Sequence, residues 1–125
     1  MNELIDATSF SKFYPIILKR AVTKKNLGEM LKRLIQSIGK PLAHNGVIIG
    51  HIKILAEISD EEFLFLSLTS LERVNIAASS DWTYEGDELI GLDIKISVLL
   101  FGHSKSVVVE VVKVSIAALC LMYNY

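Results

Sequence analysis

Between Leu92 and Phe101 the chain reads LDIKISVLLF, with an aliphatic side chain at every second position from Leu92 to Leu100. That period of two defines a β-strand with Leu92, Ile94, Ile96, Val98 and Leu100 on one face and Asp93, Lys95, Ser97, Leu99 and Phe101 on the other. Such a strand excludes an all-helical fold, and its dry side demands neighbouring strands and a cover.

Three further segments carry the same period. From Val47 to Ile58 an apolar start gives way to alternation, with Ile52, Ile54, Ala56 and Ile58 set against His51, Lys53, Leu55 and Glu57. Gly50, inside this run, marks a bulge or the close approach of another backbone. Phe63 to Thr69 places Leu64, Leu66 and Leu68 on one side after the polar stretch 59–62, which predicts an antiparallel hairpin. Arg73 to Ser79 repeats the pattern with Val74, Ile76 and Ala78. Four strands in succession with short connections predict an antiparallel meander, because parallel strands need a crossover of a dozen or more residues between each pair.

The cover is predicted to be helical. Leu27, Met30, Leu31, Leu34, Ile35 and Ile38 recur at the spacing of one helix face, which gives a helix over 23–39. Asn26 or Thr23 caps its start, Gly39 ends it in the left-handed conformation, and Pro41 blocks continuation. Residues 104–122 hold strand-favouring valines. Against these stand a polar stripe at helical spacing, Ser106, Glu110, Lys113 and Ala117, and a helix-forming tail from Ala117 to Met122. A second helix, buried on most sides, is expected. Residues 1–20 are interrupted by Pro15, which disfavours helical geometry at Tyr14, and read as a short irregular or helical arm followed by a more extended piece, its aromatics pointing to an arm that packs on something. The expected fold is α+β. It is a single-domain two-layer sandwich over residues 1–125, with a four-stranded, mostly antiparallel sheet in 47–101 and two helices packed on one face.

At 51% hydrophobic residues the chain carries more apolar surface than one small core absorbs, and the surplus points to self-association or a membrane. Spanning a bilayer takes about 20 consecutive apolar residues. The most apolar segment, Val107 to Tyr123, is interrupted by Glu110 and Lys113, so no membrane span is expected. The N-terminus offers acids where a signal peptide has basic residues, and the single Cys120 sits among aliphatic side chains. A cytoplasmic location and a buried, unreactive thiol follow as expectations. Charge is segregated: residues 1–53 hold nine basic residues against three acids, and residues 54–103 hold ten acids against two basic residues.

No catalytic, metal or nucleotide pattern accompanies this frame, and no cofactor is assigned. His44, His51 and His103 lack metal-site spacing. Asp81, Glu85, Asp87 and Glu88 lack the oxygen-ligand spacing of a calcium loop. Gly46–Gly50 is followed by no phosphate-binding lysine, and 67–70 lacks the glycines of a nucleophile elbow. Lys24, Lys25, Lys32 and Arg33 on the first helix have no interleaved aromatics for base stacking, which makes nucleic-acid binding the weakest alternative.

What remains is the second face of the sheet. His51, Lys53, Phe65, Ser67, Asn75, Asp93, Lys95 and Phe101, together with Trp82 of the loop between the last two strands, are the candidate ligand-binding or interface residues. A face of this composition is too apolar to stand idle in water and too polar for a second core. The leading expectation is a small homo-oligomeric interaction protein. The alternative is a small enzyme or ligand sensor with its pocket between this face and the Trp82 loop.

Overall fold

The computed structural model describes residues 7–86 and 88–123. Its sheet has five strands: β1 (Ala7–Val22), β2 (Val47–Glu57), β3 (Phe63–Ser70), β4 (Arg73–Ala78) and β5 (Leu89–Phe101). Helix α1 (Lys24–Leu42) joins β1 to β2, and α2 (Lys105–Tyr123) follows β5. The strand order is β1-β5-β2-β3-β4, and every pairing is antiparallel. The α+β class holds, and the period-two segments form strands as expected, but the expected four-strand meander is corrected: only β2, β3 and β4 follow one another in the sheet, and β5 pairs with β2 and β1 instead of β4.

The expected count of four strands is corrected to five. The segment read as an arm is β1, in register with β5 from Ala7 opposite Phe101 to Ile17 opposite Gly91. Pro15 does not break it, because an edge strand has one side on which a missing N–H costs no ladder bond. Residues 1–6 of the expected arm lie outside the described residues, as does Asp87 of the acidic loop.

β1 and β2 both run antiparallel to β5 and therefore parallel to each other, with β5 inserted between them. This is a split β-α-β unit in which α1 is the crossover. Thr23 caps α1, its hydroxyl accepting from the Asn26 N–H at 3.1 Å. The predicted stop at residue 39 is corrected, since the helix continues through Gly39 and Pro41 to Leu42. Gly39 serves packing: a Cβ there would collide with Leu68 Cδ2 and lie 3.3 Å from Leu71 Cδ2. Beyond it Leu42 is drawn into the core, and burying a leucine, worth about 1.5–3 kcal/mol, offsets the proline in the last turn.

The polar bend after α1 is a two-residue turn with Asn45 and Gly46 at φ 54° and 79°. His44 and Val47 exchange both backbone bonds across it, at 2.8 and 3.1 Å. Gly50, at φ 128°, sits where β2 comes closest to β5. A Cβ there would overlap the Leu99 carbonyl, which bears out the close approach read from its place in the strand.

The core is one contiguous cluster of Ile16, Leu18, the apolar stripe of α1 and the aliphatic face of β2, β3 and β5. α1 lies against β2 and β3, α2 lies against β1, and the helices touch each other. α2 is a helix, yet it is not buried on most sides. It buries Val108, Val112, Ser115, Ile116 and Leu119 and leaves Val107, Val114 and Leu121 in solvent, because the sheet and α1 reach only one flank of it. Ser104 caps its start, accepting from the Val107 N–H at 3.3 Å.

Candidate binding surface

Strand register arranges the open face of the sheet into rows. Phe13, Lys95, Leu55, Phe65 and Ala77 lie side by side across all five strands. The next row is polar from edge to edge, Ser11, Ser97, Lys53, Ser67 and Asn75. Beyond it Ser9, Leu99 and His51 are neighbours, and Phe101 pairs with Ala7 at the end. At the opposite end Pro15, Asp93, Glu57 and Phe63 form a row. Phe13 is 62% exposed, while Phe65 and Phe101 are each 37% exposed.

The two lysines are held by rings. Lys95 Nζ lies 5.2 Å from the centroid of Phe13, and Lys53 Nζ lies 5.9 Å from that of Phe65. Cations over open aromatic faces gain about 0.5–1 kcal/mol each. No carboxylate forms an ion pair with either lysine among the described residues. Ser11 and Ser97 approach to 3.4 Å between hydroxyl oxygens. Asp93 and Glu57 stand directly opposite each other, a like-charge pair that destabilises the sheet locally. They border a cleft of about 550 Å³ reaching Pro15, Ile17 and Asp60. His51 keeps Nδ1 buried without a hydrogen-bond partner.

Among the sequence-derived candidates, His51, Lys53, Phe65, Ser67, Asn75, Asp93, Lys95 and Phe101 therefore share one surface. Trp82 is elsewhere, packed at the margin of the core with the Lys24 ammonium 5.1 Å above its ring and Tyr84 edge-on at 6.0 Å. Lys24 is only 6% exposed and is ion-paired to Glu62, which also accepts from the Thr83 N–H at 3.2 Å. These contacts hold the Glu62 carboxyl below its ordinary range, the bond from Lys24 contributing most. They pin the Trp82 loop to the start of α1, away from the open face. His103 likewise turns toward α1, its Nε2 3.0 Å from the Leu42 carbonyl, and its own carbonyl accepts from Thr8 Oγ1 at 2.6 Å. It is a structural histidine and does not join His51.

Phe13 and Ser11 belong to the surface and were missed because β1 was read as an arm. The signal that reveals them is the alternation of Phe10, Lys12, Tyr14, Ile16 and Leu18 with Ser11, Phe13, Pro15 and Ile17. Behind that strand Phe10, Lys12, Tyr14, Val109, Lys113 and Ile116 line a groove of about 160 Å³, where burial raises the Tyr14 phenol above its ordinary pKa.

No family model, curated protein or solved structure matches this chain. Among the described residues no His, Cys, Asp and Glu side chains group as metal ligands, and no helix is long and apolar enough to cross a membrane.

Proposed function

We propose that this chain is a small cytoplasmic interaction protein, folded as one domain, that self-associates through the open face of its sheet. The observation carrying this reading is the aromatic row, in which Phe13 and Phe65 flank Lys95 and Leu55 with neither ring covered by a helix. A centre of aromatic and aliphatic side chains beside hydroxyls, an amide and lysines that have no carboxylate partner among the described residues has the make-up of a non-obligate interface.

Size sets the expected strength. Five strands at about 4.8 Å spacing give a face roughly 20 Å wide. Over a similar length its projected footprint is about 400–500 Å²; side-chain relief raises the accessible area above that, to somewhat below the roughly 800 Å² of accessible surface per partner in a standard stable complex. Association is therefore expected to be weak and concentration-dependent.

Light scattering on a concentration series tests it. The parent chain is expected to rise in mass with concentration, and Phe65→Asp or Phe13→Asp is expected to move the midpoint at least tenfold higher. A parent and both variants that stay monomeric at every concentration overturn the reading.

A further inference from the structure

The two edges of the sheet are treated differently. β1 carries Pro15 in mid-strand, an irregularity between Ile17 and Val22, and Lys12, Lys19 and Arg20 along its length. Proline, bulges and basic residues are the means by which edges are kept from pairing with other chains. β4, the opposite edge, has no proline and only Arg73 among basic residues in its sequence RVNIAA, and the one irregularity in its pairing lies at its start, between Arg73 and Val74.

The hydrogen-bond phase of β4 fixes what it presents. The Ser79 N–H donates to the Phe63 carbonyl at 2.9 Å, and residues pair in step from there to Leu68 opposite Val74. Alternation along an antiparallel ladder then turns Asn75 and Ala77 toward β3, and the N–H and C=O groups of Val74, Ile76 and Ala78 outward. The outward groups are three in succession. Ile76, whose side chain lies on the core side of the sheet, is 40% exposed because no further strand covers it.

We propose that β4 joins β4 of a second copy of this chain, antiparallel about a two-fold axis at Ile76, so that two five-stranded sheets become one of ten. This register uses all three outward pairs: Ile76 bonds Ile76 of the second copy, and Val74 bonds its Ala78 in both directions. The two Ile76 side chains meet on the core side, closing the gap that leaves each exposed. Charge agrees with the same pairing. Arg73 has no carboxylate partner among the described residues. The register sets it opposite Ser79 of the second copy, two residues from that copy's Asp81. A shift by one residue would turn Ile76 to the polar face of its neighbour.

This inference rests on the proposed self-association and places a second contact at the sheet edge, distinct from the open face. The test uses single cysteines in a Cys120→Ser chain under mild oxidation. Directly opposed residues in a hydrogen-bonded pair have Cα atoms about 5.5 Å apart, within disulfide range. Ile76→Cys is therefore expected to give a covalent dimer. Asn75→Cys places its two thiols on a diagonal of roughly 7–8 Å and is expected to link at least tenfold more slowly.

Ile76→Lys and, separately, Ala78→Pro provide the non-covalent arm. Each is expected to lower the dimer fraction at least tenfold in light scattering while the far-ultraviolet spectrum of the fold is kept. Equal linking at 75 and 76, no linking at 76, or a dimer untouched by both substitutions overturns the edge assignment. Loss of the dimer with Ile76→Lys but not with Phe65→Asp supports the edge and removes the open face. The reverse result removes the edge and keeps the face.

Discussion

Replacing Gly50 with alanine is the sharpest single test of how β2 and β5 fit together. At φ 128° the residue occupies backbone space that a side chain enters only at a cost of about 1–3 kcal/mol. The added Cβ would also meet backbone, with the Leu99 carbonyl carbon at 2.9 Å and the Leu100 Cα at 3.0 Å, beyond the overlap with the carbonyl oxygen itself. Comfortable carbon contacts lie at about 3.5–4.0 Å. Relieving the overlap with the Leu99 carbonyl oxygen requires the two central strands to separate locally by more than about 1 Å, a distortion of the kind that costs about 1–3 kcal/mol in packed cores.

Together the terms give about 2–6 kcal/mol, a large share of the 5–15 kcal/mol that holds a typical domain folded. For a chain of this length each kcal/mol moves Tm by about 3–5 °C. Gly50→Ala is expected to lose at least 6 °C, on the order of the lower bound of these estimates. Gly28→Ala is the control. Nothing lies within 4 Å of a Cβ at that position inside α1, so alanine is expected to stabilise by about 0.5–1 kcal/mol. Urea unfolding monitored by circular dichroism measures both. A Gly50→Ala chain within about 1 kcal/mol of the parent would refute the reasoning.

Other outcomes follow from the anchors of the loops and helices. Because the Glu62 carboxyl titrates below its ordinary value of 4.5, the stability it contributes is present above that value and is lost as pH falls through the lowered one. Glu62→Gln is expected to destabilise at pH 7, with the difference from the parent shrinking below about pH 4.5 in thermal melts across a pH series. His103→Ala removes the side-chain contact to the Leu42 carbonyl and is expected to cost about 1 kcal/mol in urea unfolding. Thr23→Ala leaves the Asn26 N–H uncapped, with an expected loss of about 1 kcal/mol by the same measurement. Pro15→Thr restores an N–H to β1, and increased sedimentation on prolonged incubation is the expected result if the proline guards that edge.

The strands with a clean aliphatic face were legible because alternation there coincides with burial. Ile54, Leu66, Ile94 and Ile96, all fully buried, were assigned to the core side from spacing alone. β1 was not, because its inward positions include Thr8, Lys12 and Tyr14, and an edge strand only partly roofed by α2 has no need of an unbroken aliphatic set. The end of α1 was misread for a related reason. Gly39 and Pro41 form a local stop signal, and contacts with Leu68, Leu71 and the core overrule it from far along the chain. For the binding surface, the face of β2, β3 and β5 followed directly from period two, whereas the position of Trp82 depends on Lys24 and Glu62, pairings that no local pattern encodes.

The insertion of β5 between β1 and β2 has a consequence for how the molecule is made. β1 is complete at Val22 and its partner begins at Leu89, some 67 residues later. At synthesis rates of about 5–20 residues per second, β1 waits roughly 3–13 s with both flanks bare. During that interval β2, β3 and β4 can zip into a meander, but no sheet yet connects them to β1. β5 emerges after the other four strands, and on arrival it must fill a slot rather than extend an edge. Pro15 and the basic residues of β1 then act on the unfinished chain as well as the finished one, keeping a waiting strand from pairing with its neighbours on the same messenger before its own partner exists.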